Sequence, residues 1–236
     1  MVFVLDLGEL NVDVIRKDIK NLHLSVHPPT GRVRIAAPER AGLDTIRAFA
    51  VAHLAWIRRN QRKIMMQERE PPREYLDRES HFVWGERVML RIIERDAAPT
   101  VSREHHSLSL QVRPGTSTAD RQQIAEGWYR DEVRRAAVPA IAKWEALLNV
   151  SVNQVFVQRM KTKWGSCNPI TCNIRLNTDL AKKPPECLDY VILHEMTHMR
   201  ARTHSSEFFG YLDQLMPHWR PVRQLLNDLP LSSVSG

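Results

Sequence analysis

His194-Glu195-Met196-Thr197-His198 is an H-E-x-x-H segment, and the rest of the chain can be read outward from it. Residues four apart on an α-helix lie nearly one above the other, so the imidazoles of His194 and His198 can reach one metal ion. Glu195 lies about 100° round the helix from His194, placed to contact a water held by that ion rather than the ion itself. Two histidine ligands and an acidic general base are the donor set of metal-dependent hydrolysis. Such a pairing of imidazoles requires a helix, and the flanks supply one. Pro184 and Pro185 stand at its expected start, Glu186 and Asp189 lie in its first turns, and Arg200 and Arg202 come near its expected end, each charge matching the helix dipole. Leu188, Ile192, Met196 and Met199 cluster on one face at about 100° per residue. That apolar stripe is predicted to lie opposite the two histidines.

A third ligand should follow, and His204 is the preferred one. It falls in Thr203-His204-Ser205-Ser206-Glu207-Phe208-Phe209, a stretch that suits a turn folding back toward the ion. The spacing resembles that of metzincin proteases, although Ala201 stands where those carry Gly. Glu207 and His218 are competing ligands, His218 reading better as a surface histidine before Trp219. A histidine ligand needs an acceptor for its other ring N–H, and Asp179 or Asp189 could provide it. Tyr190 is four residues before His194 and reads as a packing residue that could also orient a ligand or donate to an oxyanion. Cys167 and Cys172 are poorly spaced for a metal pair and read as ordinary buried thiols; a Cys167 that did approach the ion would be an accessory or inhibitory thiolate. Lys161, Lys163, Arg175, Lys182 and Lys183 surround the motif in sequence. They read as a solvated basic rim, with attraction of a phosphate or acidic substrate as the alternative.

The remaining composition narrows the class. The chain has 236 residues, 43% hydrophobic and 26% charged, which is ordinary for a soluble globular protein. No apolar run approaches the ~18–20 residues of a membrane span; the richest, Phe49 to Ile57, is broken by His53. The first residues lack a basic leader, and three cysteines without a C-x-x-C spacing suit a reducing compartment. A cytoplasmic location is therefore expected, with no membrane partner. The net charge of +7 permits contact with nucleic acid, nucleotides or acidic substrates without requiring any of them. The cluster Arg58, Arg59, Arg62, Lys63 reads as a solvated helix face. Nine glycines, with no G-x-G-x-x-G or Walker-type loop, leave little room for a phosphate cradle of that kind.

Periodicity predicts strands at residues 22–26 and 33–36 around a turn at Pro28-Pro29-Thr30-Gly31, then a helix from Asp44 to about Met66. Glu68 to Pro72 reads as a linker. Strands are expected over 82–93, with a bend at Trp84-Gly85, and over 108–112. A long helix follows from Thr118 or Asp120, carrying Ile124, Trp128, Val133, Val138, Ile141, Trp144 and Leu148. Short strands at 155–157 and 172–176 precede the motif helix, and two shorter helices run to about Leu226. No internal repeat is visible, and the Ser-rich tail from Ser232 reads as frayed. Strands early and helices late indicate an α+β fold.

The motifs taken together resemble a known family. Met160-Lys161-Thr162-Lys163-Trp164-Gly165-Ser166-Cys167, then Ile174 to Leu180, Leu188 to Glu195, His204-Ser205 and Phe208 are similar to the YgjP-like predicted metal-dependent hydrolases, zincin-type proteins distantly related to SprT-like metalloproteases. The strong likeness covers about residues 150–225. A weaker one runs forward through Trp128-Tyr129-Arg130, Phe82 to Gly85 and Trp56-Ile57. The resemblance implies a zincin-like core, His194, His198 and His204 as metal ligands, and Glu195 as catalytic base. It also implies that Trp164 and Gly165 shape an edge strand beside the cleft, able to pair with an extended peptide. Asn177 could hold that strand, cap a turn or meet substrate.

The expectations are therefore these. Residues 1–115 form an N-terminal, β-rich α+β region, and residues 116–236 a zincin-like metal-binding catalytic region, one compact unit. The function is a zinc-dependent hydrolase, foremost a metallopeptidase with a metal-activated water and Glu195 as general base. Other divalent ions would suit the same donors. One alternative is a metal-dependent nucleoside triphosphate (UTP) pyrophosphatase, an activity also attached to the family. Another is a nucleic-acid-binding or interaction module with a structural zinc, for which a fourth protein ligand would be expected.

Overall fold

Apolar residues recur at every second position in Val12-Asp13-Val14 and Val33-Arg34-Ile35, the signature of strands with one buried face. A computed structural model of the chain, describing residues 2–27, 30–66, 73–160 and 163–228, makes these the two central strands of a sheet. The sheet comprises β1 (Val2–Asp6), β2 (Asn11–Lys17), β3 (His23–His27) and β4 (Arg32–Pro38) in the order β1-β2-β4-β3. β2 and β4 run parallel with Val12 opposite Val33 and Val14 opposite Ile35, and both outer pairings are antiparallel. Two helices follow, α1 (Leu43–Ala52) and α2 (Leu54–Met66). Ile46, Ala50 and Ile57 join the strand valines and Ile35 in one core. β1 and β2 add to the two strands expected in this region. The single helix expected from Asp44 is instead two, because the chain leaves helical geometry at His53, whose N–H turns back to the carbonyls of Ala50 and Val51. Gly42, not Asp44, is the N-cap, with Asp44 in the first turn. The Pro28-Pro29 part of the expected turn, the 68–72 linker and the Ser-rich tail lie outside the described residues.

The rest of the described chain forms a second compact unit. Its first sheet contains β5 (Ser80–Val83), β6 (Glu86–Glu94), β7 (Thr100–Glu104) and β8 (Ser107–Val112) in the order β5-β6-β8-β7, with β6 and β8 parallel. This is the order and polarity of β1-β2-β4-β3, so a four-strand pattern recurs where no repeat is visible in sequence. Topology follows from the places where alternation breaks into turns, and side-chain identity can diverge beneath it. The stretch expected as one bent strand over 82–93 is a tight hairpin. Trp84 (φ 51°) and Gly85 (φ 82°) form its two-residue turn, which demands left-handed backbone at both positions. A Cβ on Gly85 would also stand 2.9 Å from Pro184 Cγ.

α3 (Thr118–Leu148) opens on Ser117, whose hydroxyl accepts the N–H of Asp120 at 3.2 Å. It buries Tyr129, Val133, Ile141, Trp144 and Leu148. Val138, expected on that face, is 68% exposed; five residues past Val133 it has turned about 140° away. A three-stranded sheet follows in the order β10-β11-β9, from β9 (Gln154–Gln158), β10 (Gly165–Asn168) and β11 (Asn173–Asn177). A 3-10 turn (Thr178–Lys182) leads to α4 (Pro185–Thr197), then α5 (Ser206–Leu215) and α6 (Trp219–Asp228). Leu108, Leu110 and Val112 of β8 share one core with Val133 and Trp144 of α3 and Ile192 of α4. For that reason the expected boundary at residue 115 does not divide the chain: β5 through β8 belong with the helices that follow them. The class is α+β with a β-rich N-terminal region, as expected. Among the described residues no helix is long and apolar enough to cross a membrane.

Candidate metal centre

α4 begins where Pro185, lacking an N–H, costs the first turn nothing. Leu188, Val191, Ile192, Leu193 and Met196 are all buried, so the helix is enclosed on most sides rather than split into an apolar and a histidine face. It also ends earlier than expected. Thr197 is fully buried and its hydroxyl donates to Leu193 O at 2.7 Å. The next N–H groups reach back only three residues, His198 to Glu195 O (3.2 Å), Met199 to Met196 O (3.0 Å) and Arg200 to Thr197 O (2.9 Å). This tightened turn makes His198 the C-cap, leaves Arg200 and Arg202 beyond the helix, and starts the chain back toward the motif.

The result is a cluster. Ring nitrogens of His194, His198 and His204 all lie within 4.8 Å of one another. His204 Nε2 is 3.1 Å from His194 Nε2, close to the ~3.3 Å expected between two nitrogens bound at ~2.0–2.1 Å to a tetrahedral zinc. Three imidazoles converging in this way fit a divalent ion, and the alternatives Glu207 and His218 are not part of the group. Burial first, then the neighbouring histidines, push His194 down to about 3, and burial lowers His198 in the same direction. Both rings are therefore neutral near pH 7, with the lone pair a metal requires.

The groups behind the histidines are not the expected aspartates. The Tyr190 hydroxyl is 3.4 Å from His194 Nδ1, and Ala201 O is 3.4 Å from His198 Nδ1. Asp189 instead accepts from Trp144 Nε1 (2.7 Å) and Lys143 Nζ (3.0 Å), and Asp179 from Lys182 Nζ (2.7 Å). Tyr190 is held by stacking on Trp219, 6.2 Å away and 6° from parallel. Beneath the cluster lies Phe208, fully buried, its ring centre 5.0 Å from His194 and 4.7 Å from both His198 and His204. Ser205 caps α5 and so fixes where Phe208 enters. No periodicity marks Phe208 as part of the site; the family resemblance includes it, and the S-x-x-F cap after His204 places it in the sequence.

Glu195 is buried beside the cluster, and desolvation pushes its carboxyl up to about 7 despite the opposing pull of Lys163 and of the Cys167 N–H that donates to it. β10 passes directly over it. A Cβ on Gly165 would fall 2.8 Å from Glu195 Cγ, 2.9 Å from its Oε1 and 2.9 Å from Val191 Cγ1, so only glycine permits this approach. Asn177 sets the entry to β10: its Nδ2 donates to Met160 O and Lys163 O, each at 2.9 Å, while its Oδ1 accepts from Asp179 N at 3.1 Å. It thus holds the strand and caps the 3-10 turn. β10 is an edge strand, pairing with β11 alone among the described strands. Cys167 and Cys172 are half-buried rather than buried. Burial, reinforced by Glu195, pushes the Cys167 thiol up to about 11, which keeps it neutral.

The three histidines, Glu195, Tyr190, Gly165 and Cys167 line a cavity of about 700 Å³. Of the five basic residues expected as a rim, Lys163 lines it. Lys182 pairs with Asp179, Lys183 lies over the Trp164 ring at 5.8 Å, Arg175 lies over Phe156 at 5.5 Å, and Lys161 is outside the described residues. Arg202 and Arg223, distant from the motif's basic run, line the cavity in their place.

The family model described as YgjP-like, metallopeptidase domain, matches residues 20–229. No curated protein matches. Among solved structures, the metallopeptidase zymogen jannalysin of Methanocaldococcus jannaschii is 24% identical with a TM-score of 0.34, over 37% of this chain and 84% of that one. The zymogen abylysin of Pyrococcus abyssi is 18% identical with a TM-score of 0.35, over 37% of this chain and 89% of that one.

Proposed function

Because the chain belongs to the YgjP-like metallopeptidase family, we propose that it is a zinc-dependent peptidase in which His194, His198 and His204 hold the ion and Glu195 is the general base. The observation that carries this reading is the convergence of three imidazoles within 4.8 Å beside a buried carboxylate. A divalent ion held there supplies a Lewis acid that polarises the scissile carbonyl and acidifies a water molecule. Glu195, buried beside that site, takes a proton from the water as a carboxylate and passes it to the leaving amine. Tyr190 orients His194 through Nδ1, and Phe208 excludes water from below the ligands. The open edge of β10 offers backbone N–H and C=O groups to an extended peptide.

Glu195→Gln should keep bound zinc, measured by elemental analysis, and lose peptide hydrolysis by roughly two orders of magnitude or more. His194→Ala should lose the zinc. An E195Q protein that cleaves unfolded substrate at the native rate removes Glu195 from the mechanism. Turnover of UTP by a metal-loaded protein that leaves peptides intact would replace the peptidase reading altogether.

A further inference from the structure

The cavity wall carries a marked charge imbalance. Among the described residues lining it, Lys163, Arg202 and Arg223 are cationic, and the sole acid is Glu195, already committed to proton transfer. All three cations are exposed. None of them has a carboxylate partner among the described residues, although carboxylates neutralise neighbours elsewhere: Arg220 pairs with Asp213 at 2.6 Å and Lys182 with Asp179 at 2.7 Å. Arg223 rests instead over the Trp219 ring, 6.0 Å from its centre. The three arrive from separate places. Lys163 precedes β10 and is pinned there by Asn177, Arg202 follows the His198 turn, and Arg223 comes from α6.

Three unneutralised cations around one cleft raise the local concentration of anions and favour substrates that present negative charge on either side of the reacting group. Resting on the peptidase reading, we infer that Lys163, Arg202 and Arg223 select acidic peptide segments, with Asp or Glu side chains flanking the bond placed at the metal centre. A peptide fits the observations better than a nucleotide. The free edge of β10 beside Lys163 suits an extended backbone, and among the described residues Glu195 is the one carboxylate of the cavity, so it has no second acidic group beside it to share a magnesium-bound triphosphate.

The test uses full-length, zinc-loaded E195Q protein, so that binding is read without hydrolysis. Fluorescence anisotropy compares a labelled peptide rich in Asp and Glu with its Asn/Gln twin at low and high salt. The acidic twin should bind about tenfold or more tightly at low salt, and added salt should shrink the gap. Arg202→Gln and Arg223→Gln should each narrow the ratio, and Arg202→Glu/Arg223→Glu should invert it. Equal binding of the twins, or a preference that survives the double charge reversal, overturns the inference. So does UTP that displaces the acidic peptide at far lower concentration than the peptide itself needs. The two readings fail separately. Cleavage indifferent to peptide charge leaves the peptidase and removes the selectivity, whereas charge-selective binding without cleavage by the unaltered protein does the reverse.

Discussion

Glu195 is a carboxyl group held where charge is costly, and that single fact carries a pH signature. Its ordinary value is 4.5 and burial pushes it up to about 7, so between those values the fold favours the proton while the unfolded chain releases it. The metal-free protein should therefore lose stability as pH rises from about 4.5 to about 7, and E195Q should lack that slope; thermal melts across the range would show it. A divalent cation reverses the preference, because an adjacent positive charge favours the carboxylate. Adding zinc at pH 6 should release a proton that E195Q does not release, measurable in unbuffered solution. Tyr190 makes a separate prediction. Removing its hydroxyl in Tyr190→Phe takes the partner from His194 Nδ1 and should weaken zinc binding about tenfold or more, scored by competition with a chelator; unchanged affinity would leave Tyr190 as packing alone. Both roles were only half legible in the sequence. Glu195 is marked by the motif, but its raised pKa comes from burial that only the packed fold supplies, and Tyr190 displaced Asp179 and Asp189 because those carboxylates face Lys182 and Trp144.

Between elements, the decisive contact is β10 on α4. It depends on a missing Cβ, so Gly165→Ala should push the strand off Glu195 and Val191, costing about 1–3 kcal/mol of stability and most of the hydrolytic activity. Denaturant melts and a peptide assay would score it, and a Gly165→Ala chain with native stability and rate would show that the strand moves freely. α4 itself was readable, because Pro185 at its start and H-E-x-x-H near its end are local signals. Its early stop at Thr197 was not, since it arises from buried side-chain and backbone bonds rather than from a Gly or Pro. In the same way Trp84 adopts left-handed backbone because its N–H reaches Ala181 O at 2.7 Å and its Nε1 reaches Glu132 at 3.2 Å. The identity of residue 84 alone predicts a bend, not a two-residue turn.

At the scale of the whole molecule, two cores share one chain. Ile35 is fully buried in the first and contributes nothing to the second. Ile35→Ala should thus cost about 2–5 kcal/mol in the unit holding β1 through α2 while zinc content stays the same, checked by melts alongside metal analysis. Loss of zinc together with Ile35 would mean that the two cores fold as one. The amino-acid sequence by itself determined the candidate donor set, an α+β class and most element positions, because histidine spacing, alternation and helix caps are encoded within a few residues. Only the tertiary structure decided that His204 completes the cluster, that Phe208 underlies it, that Arg202 and Arg223 line the cleft, and that the chain divides before β5 rather than after β8. Each of those joins residues far apart in the chain, and such meetings are set by how whole elements pack, not by any local pattern of side chains.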